Sequence, residues 1–265
     1  MGIIRRYWSS PGVRLVVVAV LALAVIAGII IAARPGAPAP ELDVSAVTPT
    51  PEAEPTARVR SHDISETSAA PPYTVTGNYP EIEGLADKEG AAALNAYLQA
   101  QFMAALDEFK GNAGEFAGAP DGTQSELRIE AHVALAGPRY VSGWFDVTEY
   151  YAGAAHPASF YRTFNYDITA PSAMQLDDLF TSGSNYLPVI AAQARAELER
   201  ELGAEGIVVD NTFRTGTAPA AENYQFFFFT DETLEIVFNP YRIASGAAGI
   251  RTAAIPWEAL RAFRR

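Results

Sequence analysis

His156 lies in GAAHPAS, Gly153 to Ser159, between two runs with strand-like alternation, in a chain with three histidines and no cysteine. Set in a cleft beside a carboxylate of shifted pKa, it could act as the general base of a hydrolase. On an open turn it would only hydrogen-bond. The other candidates are weaker. His132 alternates onto the polar side of a strand with Arg128 and Glu130, and a zinc site would need three or four ligands. His62, in SHDIS, is expected to be solvated. Asp177 and Asp178 are adjacent, but neighbours on extended chain point to opposite faces, so a turn or a helix entry suits them better than paired acid–base work.

Lack of cysteine removes disulfides, Cys-ligated zinc and thiol nucleophiles together. The chain has no G-x-S-x-G, S-x-x-K, H-E-x-x-H, phosphate loop or G-x-G-x-x-G. No cofactor or metal is expected.

Two stretches have the composition of recognition loops. EYYAGAAHPAS puts Tyr150 and Tyr151 beside a turn of small residues that carries His156 and Pro157. FNPYRIASGAAGI combines Asn239, Pro240 and Tyr241 with a Gly/Ala-rich loop containing Ser245 and Gly249. Displayed tyrosines give a large contact area at low entropic cost. The alternative is that Tyr151 and Tyr241 are core aromatics and that the glycines serve tight turns.

The elements that would hold these loops follow from periodicity. YTVTGNYP reads as a strand stopping at Pro80. Asp87 caps a helix whose apolar face runs Ala91, Leu94, Leu98, Phe102, Ala105 and Phe109. Gly111, Gly114 and Gly118-Ala-Pro120 break that pattern. ELRIEAHVALAG, RYVSGWFDVTEYY and ASFYRTFNYDIT form three strands of an antiparallel meander. A second helix, capped by Ser184 and ended by Gly203, carries Leu187, Ile190, Ala191, Ala194, Leu198 and Leu202. YQFFFFTDETLEIVF is a hairpin turning at Thr230–Thr233, whose four phenylalanines imply a strand covered on both faces by helices. Pro256 opens a last short helix. The fold class is α+β, a mostly antiparallel sheet with two long helices packed on it.

Upstream, residues 15–33 form an uncharged apolar run, LVVVAVLALAVIAGIIIAA. At about 1.5 Å per residue it reaches roughly 28 Å, close to the hydrocarbon thickness of a bilayer. Arg5, Arg6 and Arg14 precede it, which orients residues 1–14 to the cytoplasm and the rest outside. A cleaved signal peptide is the competing reading, although the run is long for one. Residues 34–72 are rich in proline and small residues and are expected to form a disordered linker. Residues 73–125 and 126–265 then divide into an N-terminal β–α module and a C-terminal domain. The net charge of −12, without a basic stripe, excludes a nucleic-acid partner.

YYAGAAHPASFYRTFNYDITA, MQLDDLF, YLPVIAAQARAEL and FFFFTDETLEIVFNPYRIASGAAGIRTAAIPWEAL, in that order, resemble the extracytoplasmic C-terminal domain of the RsiV-like, lysozyme-sensing anti-sigma factors. That domain also accompanies the peptidoglycan deacetylase PdaC. YTVTGNYPEIEGLAD with LNAYL resembles the smaller module that precedes it. The resemblance covers nearly all of residues 73–265. It implies an exported α+β domain that binds through the loops Tyr150–Pro157 and Asn239–Gly249, with lysozyme or peptidoglycan as partner. The short segment before the apolar run has no room for a sigma-binding domain, so no sigma factor is expected, and the deacetylase part is missing too. The expectation is a non-catalytic, single-pass membrane-anchored binding domain. A wall-directed hydrolase using His156, or a structural partner of another membrane protein, remains the alternative.

Overall fold

The computed structural model describes residues 57–116 and 122–265. The segment 1–14, the apolar run 15–33, the linker through residue 56 and the Gly118–Pro120 break lie outside the described residues. Among the described residues no helix is long and apolar enough to cross a membrane.

Strands β1 (Arg58–Ala69), β2 (Pro72–Glu83), β3 (Ser125–Ala136), β4 (Tyr140–Tyr150), β5 (Ala158–Asp167) and β6 (Ser172–Ala173) form one six-stranded sheet in sequence order. All neighbours are antiparallel except β2 and β3. That parallel pair is joined by helix α1 (Lys88–Glu115), which supplies the long crossover a parallel connection needs. Asp87 caps α1 through the Gly90 N–H at 2.9 Å. Leu94, Leu98, Phe102 and Phe109 bury against Val75, Leu127, Ile129, Phe145 and Phe164 of the sheet. The expected meander of β3, β4 and β5 is present.

The second layer is smaller. Helix α2 (Leu187–Ala204) and the short helix α3 (Asn211–Gly216) precede β7 (Phe227–Phe229), β8 (Thr233–Phe238) and β9 (Arg251–Pro256), and a last turn α4 (Trp257–Leu260) follows. The three strands make an antiparallel sheet in the order β7-β8-β9. Ile190, Ala194, Leu198 and Leu202 of α2 share a core with Phe227, Phe229, Leu234, Ile236, Ala253 and Ile255.

Several expectations need correction. The linker was drawn to residue 72, yet Arg58–Ala69 is a strand paired with β2 along its whole length. Its inward side chains are mostly polar, so no apolar alternation betrays it. His62 is not merely solvated: its ring stacks on Tyr79 and Nε2 lies 2.6 Å from Glu81. Glu66 accepts from the Tyr73 hydroxyl and from Lys110, both at 2.6 Å. Strand β2 runs through Pro80 to Glu83. Pairing with β3 ends at Gly77, and Ile82, two residues past the proline, turns its N–H to the Asn95 Oδ1 at 2.8 Å. The missing N–H of Pro80 therefore falls on the side that no strand covers.

Helix α1 continues through Gly111 and Gly114, because Phe109 and Ala113 stay buried beside them. Ser184 does not cap α2. Tyr186 occupies that position without a side-chain cap, and the helix passes Gly203 to end at Ala204, with Gly206 at φ 75° and the Ile207 N–H returning to the Leu202 carbonyl. Strand β9 had no counterpart in the sequence reading. A boundary at 125/126 would separate β2 and α1 from β3, β4 and β5, with which they share one core.

Of the phenylalanine run, Phe227 and Phe229 face α2, but Phe228 stacks on Trp144 of β4 with ring centroids 4.4 Å apart. One face is thus covered by a helix and the other by the large sheet. The junction is polar at its centre. Ser142 of β4 and Asn165 of β5 sit opposite each other in register and are buried. Ser142 Oγ donates to Asn165 Oδ1 at 2.7 Å and accepts from the Phe229 N–H at 2.7 Å. Asn165 Nδ2 donates to the Phe227 carbonyl at 2.8 Å. Two side chains of one sheet thereby satisfy the edge of the other. Ser142→Ala or Asn165→Ala would strand a buried backbone group of β7, and each should cost about 1–3 kcal/mol in denaturant unfolding.

At the end of β5, burial pushes the Asp167 carboxyl up. Hydrogen bonds from the Thr169 hydroxyl and N–H, the Ala170 N–H and Arg139 outweigh it and hold the group below the usual aspartate value of 3.8. A lowered carboxyl contributes stability that is present above its unfolded pKa and lost as pH falls through the folded one. Below about pH 4 the wild type should therefore lose stability faster than Asp167→Asn, as read by thermal melts across an acid series.

Candidate functional site

The loop after β8 opens with a turn in which the Arg242 N–H returns to the Asn239 carbonyl at 3.1 Å. Pro240 takes the second position and Tyr241 the third, with φ at 67°. This is the arrangement of a type II turn, whose third position normally falls to glycine or asparagine. A tyrosine there holds a left-handed backbone at a cost of roughly 1–2 kcal/mol. Its ring is displayed, 69% exposed, with the tip resting on Gly246. A Cβ on Gly246 would lie 2.3 Å from the Tyr241 Cζ, so only glycine lets the ring rest there.

Asn239 fastens this loop to the large sheet. Its Oδ1 accepts from the Tyr161 N–H at 2.8 Å and its Nδ2 donates to the Tyr161 carbonyl at 3.0 Å. Both groups point away from β4, as does the Asn165 carbonyl that receives the Met174 N–H. The amide thus takes the place of a neighbouring strand at the middle of the outer edge of β5.

Between that loop and the start of β5 runs an open groove of about 730 Å³. His156, Pro157, Asn239, Pro240, Tyr241 and Gly249, all anticipated, line it, joined by Ala158, Ser159, Phe160, Gly246, Ala247 and Ile250. No Asp, Glu, Lys or Arg is among them, although the chain carries a net charge of −12. His156 is exposed, and its Nδ1 lies 2.9 Å from the Pro157 carbonyl. A carbonyl can only accept, so Nδ1 carries the proton and, in the neutral ring, Nε2 is left as an acceptor. The partner is a carbonyl, not a carboxylate.

The other three anticipated residues sit elsewhere. Tyr151 packs on Phe109 and Phe116 of the α1 end, accepts from Asn112 and donates to Glu149, each at 3.1 Å. Burial pushes its hydroxyl up to about 12. It is half-buried and packs against the core of the large sheet. Tyr150 is half-buried at the end of β4, opposite Glu126, and Ser245 is exposed, its carbonyl receiving the Ala248 N–H. Asp178 closes a helix-entry turn by accepting from the Gln175 N–H at 2.7 Å, and Asp177 accepts from the Tyr186 hydroxyl. His132 stacks flat on Trp144, with centroids 4.8 Å apart. Among the described residues no cluster of His, Asp and Glu could hold a metal ion.

Residues 177–258, from the helix-entry turn to the start of α4, match the family described as "Protein of unknown function (DUF3298)". The chain carries a DUF3298 domain. Two DUF3298 family structures share the fold: one from Bacteroides fragilis, with a TM-score of 0.59 and 18% identity over 80% of this chain and 95% of that one; and one from Pseudomonas aeruginosa, with a TM-score of 0.53 and 13% identity over 80% and 94%. In sequence the chain is similar to peptidoglycan-N-acetylmuramic acid deacetylase PdaC of Bacillus subtilis, 29% identical over 140 residues, which is 52% of this chain and 29% of the deacetylase. It is also similar to esterase Rv3036c of Mycobacterium tuberculosis, 31% identical over 108 residues, covering 41% of this chain and 45% of the esterase. The chain therefore spans less than half the length of either relative. The DUF3298 match holds Asn239, Tyr241 and Gly249 but not His156 or Phe160.

Sequence reasoning missed Phe160 and Gly246. Phe160 reads as an ordinary inward strand residue, and Gly246 gains meaning only once the Tyr241 ring lies over it. Tyr241→Gly relieves the left-handed backbone by about 1–2 kcal/mol while adding about 0.5–1 kcal/mol of unfolded-chain entropy. Its stability in urea should therefore stay within about 1 kcal/mol of wild type or rise. A loss well beyond that would show that the ring is a core element and not a displayed one.

Proposed function

We propose that the protein is a membrane-anchored, extracytoplasmic binding protein of the RsiV-like kind, which recognises lysozyme or cell-wall material at the groove without catalysis. The observation that carries this reading is the convergence of two loops, far apart in sequence, on one uncharged groove with a tyrosine displayed at a glycine position. Concave, mostly apolar sites with a few placed polar groups are the usual form of a ligand site. The similarity to a deacetylase whose name places it on peptidoglycan supports a wall-associated ligand. The apolar run 15–33, with three arginines before it, supports the anchor and the outward orientation of the domain.

Binding is favoured over hydrolysis by the environment of His156. Its imidazole is exposed and bonds the Pro157 carbonyl, whereas the hydrolase reading calls for a cleft with a carboxylate of shifted pKa beside it. The similarity to an esterase keeps the hydrolase alternative worth an assay.

The test is retention of the full chain on purified, insoluble peptidoglycan and on immobilised lysozyme, with ester and wall hydrolysis followed in parallel. Retention on one of the two, with no hydrolysis, is the expected result. Retention on neither would overturn the reading, and hydrolysis abolished by His156→Ala would replace it with the enzymatic one.

A further inference from the structure

Within the reading of the groove as the ligand site, its chemistry narrows the ligand. We propose that the groove binds an uncharged, N-acetylated saccharide chain, with the C–H face of a sugar ring laid on the Tyr241 ring.

Three observations select this class. A charged ligand would meet no counter-ion among the described residues, because those that line the groove include no Asp, Glu, Lys or Arg in a chain of net charge −12. A basic protein surface would have to find its acids elsewhere. An extended peptide would normally enter such a place by adding a strand to β5. Yet the Tyr161 N–H and carbonyl at the middle of that edge are already taken by Asn239, so a continuous strand cannot pair there. What the groove does offer is an exposed aromatic face, small residues and a hydrogen-bond acceptor. Tyr241 supplies the face, already fixed in direction by its turn and by Gly246. Beside Ala247 and Gly249, where a Cβ added to Gly249 would meet nothing within 4 Å, the wall leaves space for an acetamido methyl. With Nδ1–H on the Pro157 carbonyl, the Nε2 of the His156 ring can accept a hydrogen bond from an amide N–H or a hydroxyl. A pyranose with an acetamido arm presents an apolar C–H face, a methyl group and several hydroxyl and amide donors while carrying no charge. Little ordering remains to be done when the ring is held in advance, and that lowers the entropic cost of binding.

The experiment is calorimetric titration of the full chain with the β-1,4 tetramer of N-acetylglucosamine, with the glucose tetramer and lysozyme as comparison ligands. Saturable binding of the acetylated tetramer is expected, at least about tenfold tighter than the glucose tetramer. It should change by less than about twofold between about 50 and about 500 mM NaCl, since no ion pair is involved. Tyr241→Gly and Gly246→Ala should each weaken it by about tenfold or more. Neither should be destabilised by more than about 1 kcal/mol, because the first suits the backbone and the second displaces only the tip of an exposed ring. Lysozyme binding that Tyr241→Gly abolishes, with no binding of the tetramer, would overturn the saccharide assignment and leave the groove as the site. Tetramer binding that neither variant alters, or no binding of any of the three ligands, would overturn the assignment of the groove itself.

Discussion

Ser142 and Asn165 decide how the molecule is put together. An edge strand exposes a row of backbone groups that must find partners or water. Strand β7 is only three residues long and buried, so water is not available to it. Its groups are met by a serine and an asparagine of the large sheet, paired with each other across β4 and β5. The two apolar cores can lie side by side because this polar seam is satisfied between them, with Phe228 on Trp144 and Phe229 on Tyr140 closing it on either side. The same device recurs in reverse at Asn239, where the smaller sheet's loop completes the edge of the larger one. Amides that imitate strands set the distance and angle across which the groove opens.

That frame explains how strain can be kept in the loop. The turn at Asn239–Arg242 is pinned at its first residue by two hydrogen bonds to Tyr161, and Ile243 and Ala248 are buried in the smaller core. Between these fixed points the backbone holds a conformation that a tyrosine does not favour. Strain of this kind persists only where the surroundings over-determine it, and it gathers at sites that act on other molecules.

Much of this was legible in the sequence and some of it was not, for identifiable reasons. The faces of α1 and α2 and the β3–β5 meander could be read because their buried residues are apolar and periodic. Strand β1 could not, since its inward side alternates Ile64 with His62, Glu66 and Ser68, and the partners of His62 and Glu66 lie on other elements. Strand β9 is a short Arg-Thr-Ala-Ala-Ile-Pro run with no strong alternation, and its Ala254 N–H is taken by Glu197 of α2. The two candidate loops stood out by composition, but composition could not separate Tyr151 from Tyr241. One lies against Phe109 and Phe116; the other follows a proline in a turn, and only the backbone angle shows the difference. His156 lines the groove, and its partner, the carbonyl of the next residue, has no signature in sequence.

The match to the DUF3298 family model begins at residue 177, and the Ser142–Asn165 half of the polar seam and one wall of the groove lie before it. Cut out alone, residues 177–258 would leave β7 without Ser142 and Asn165, and Asn239 without Tyr161. The stretch matched by the family model is therefore smaller than the unit that folds. The folding unit extends back at least through the meander.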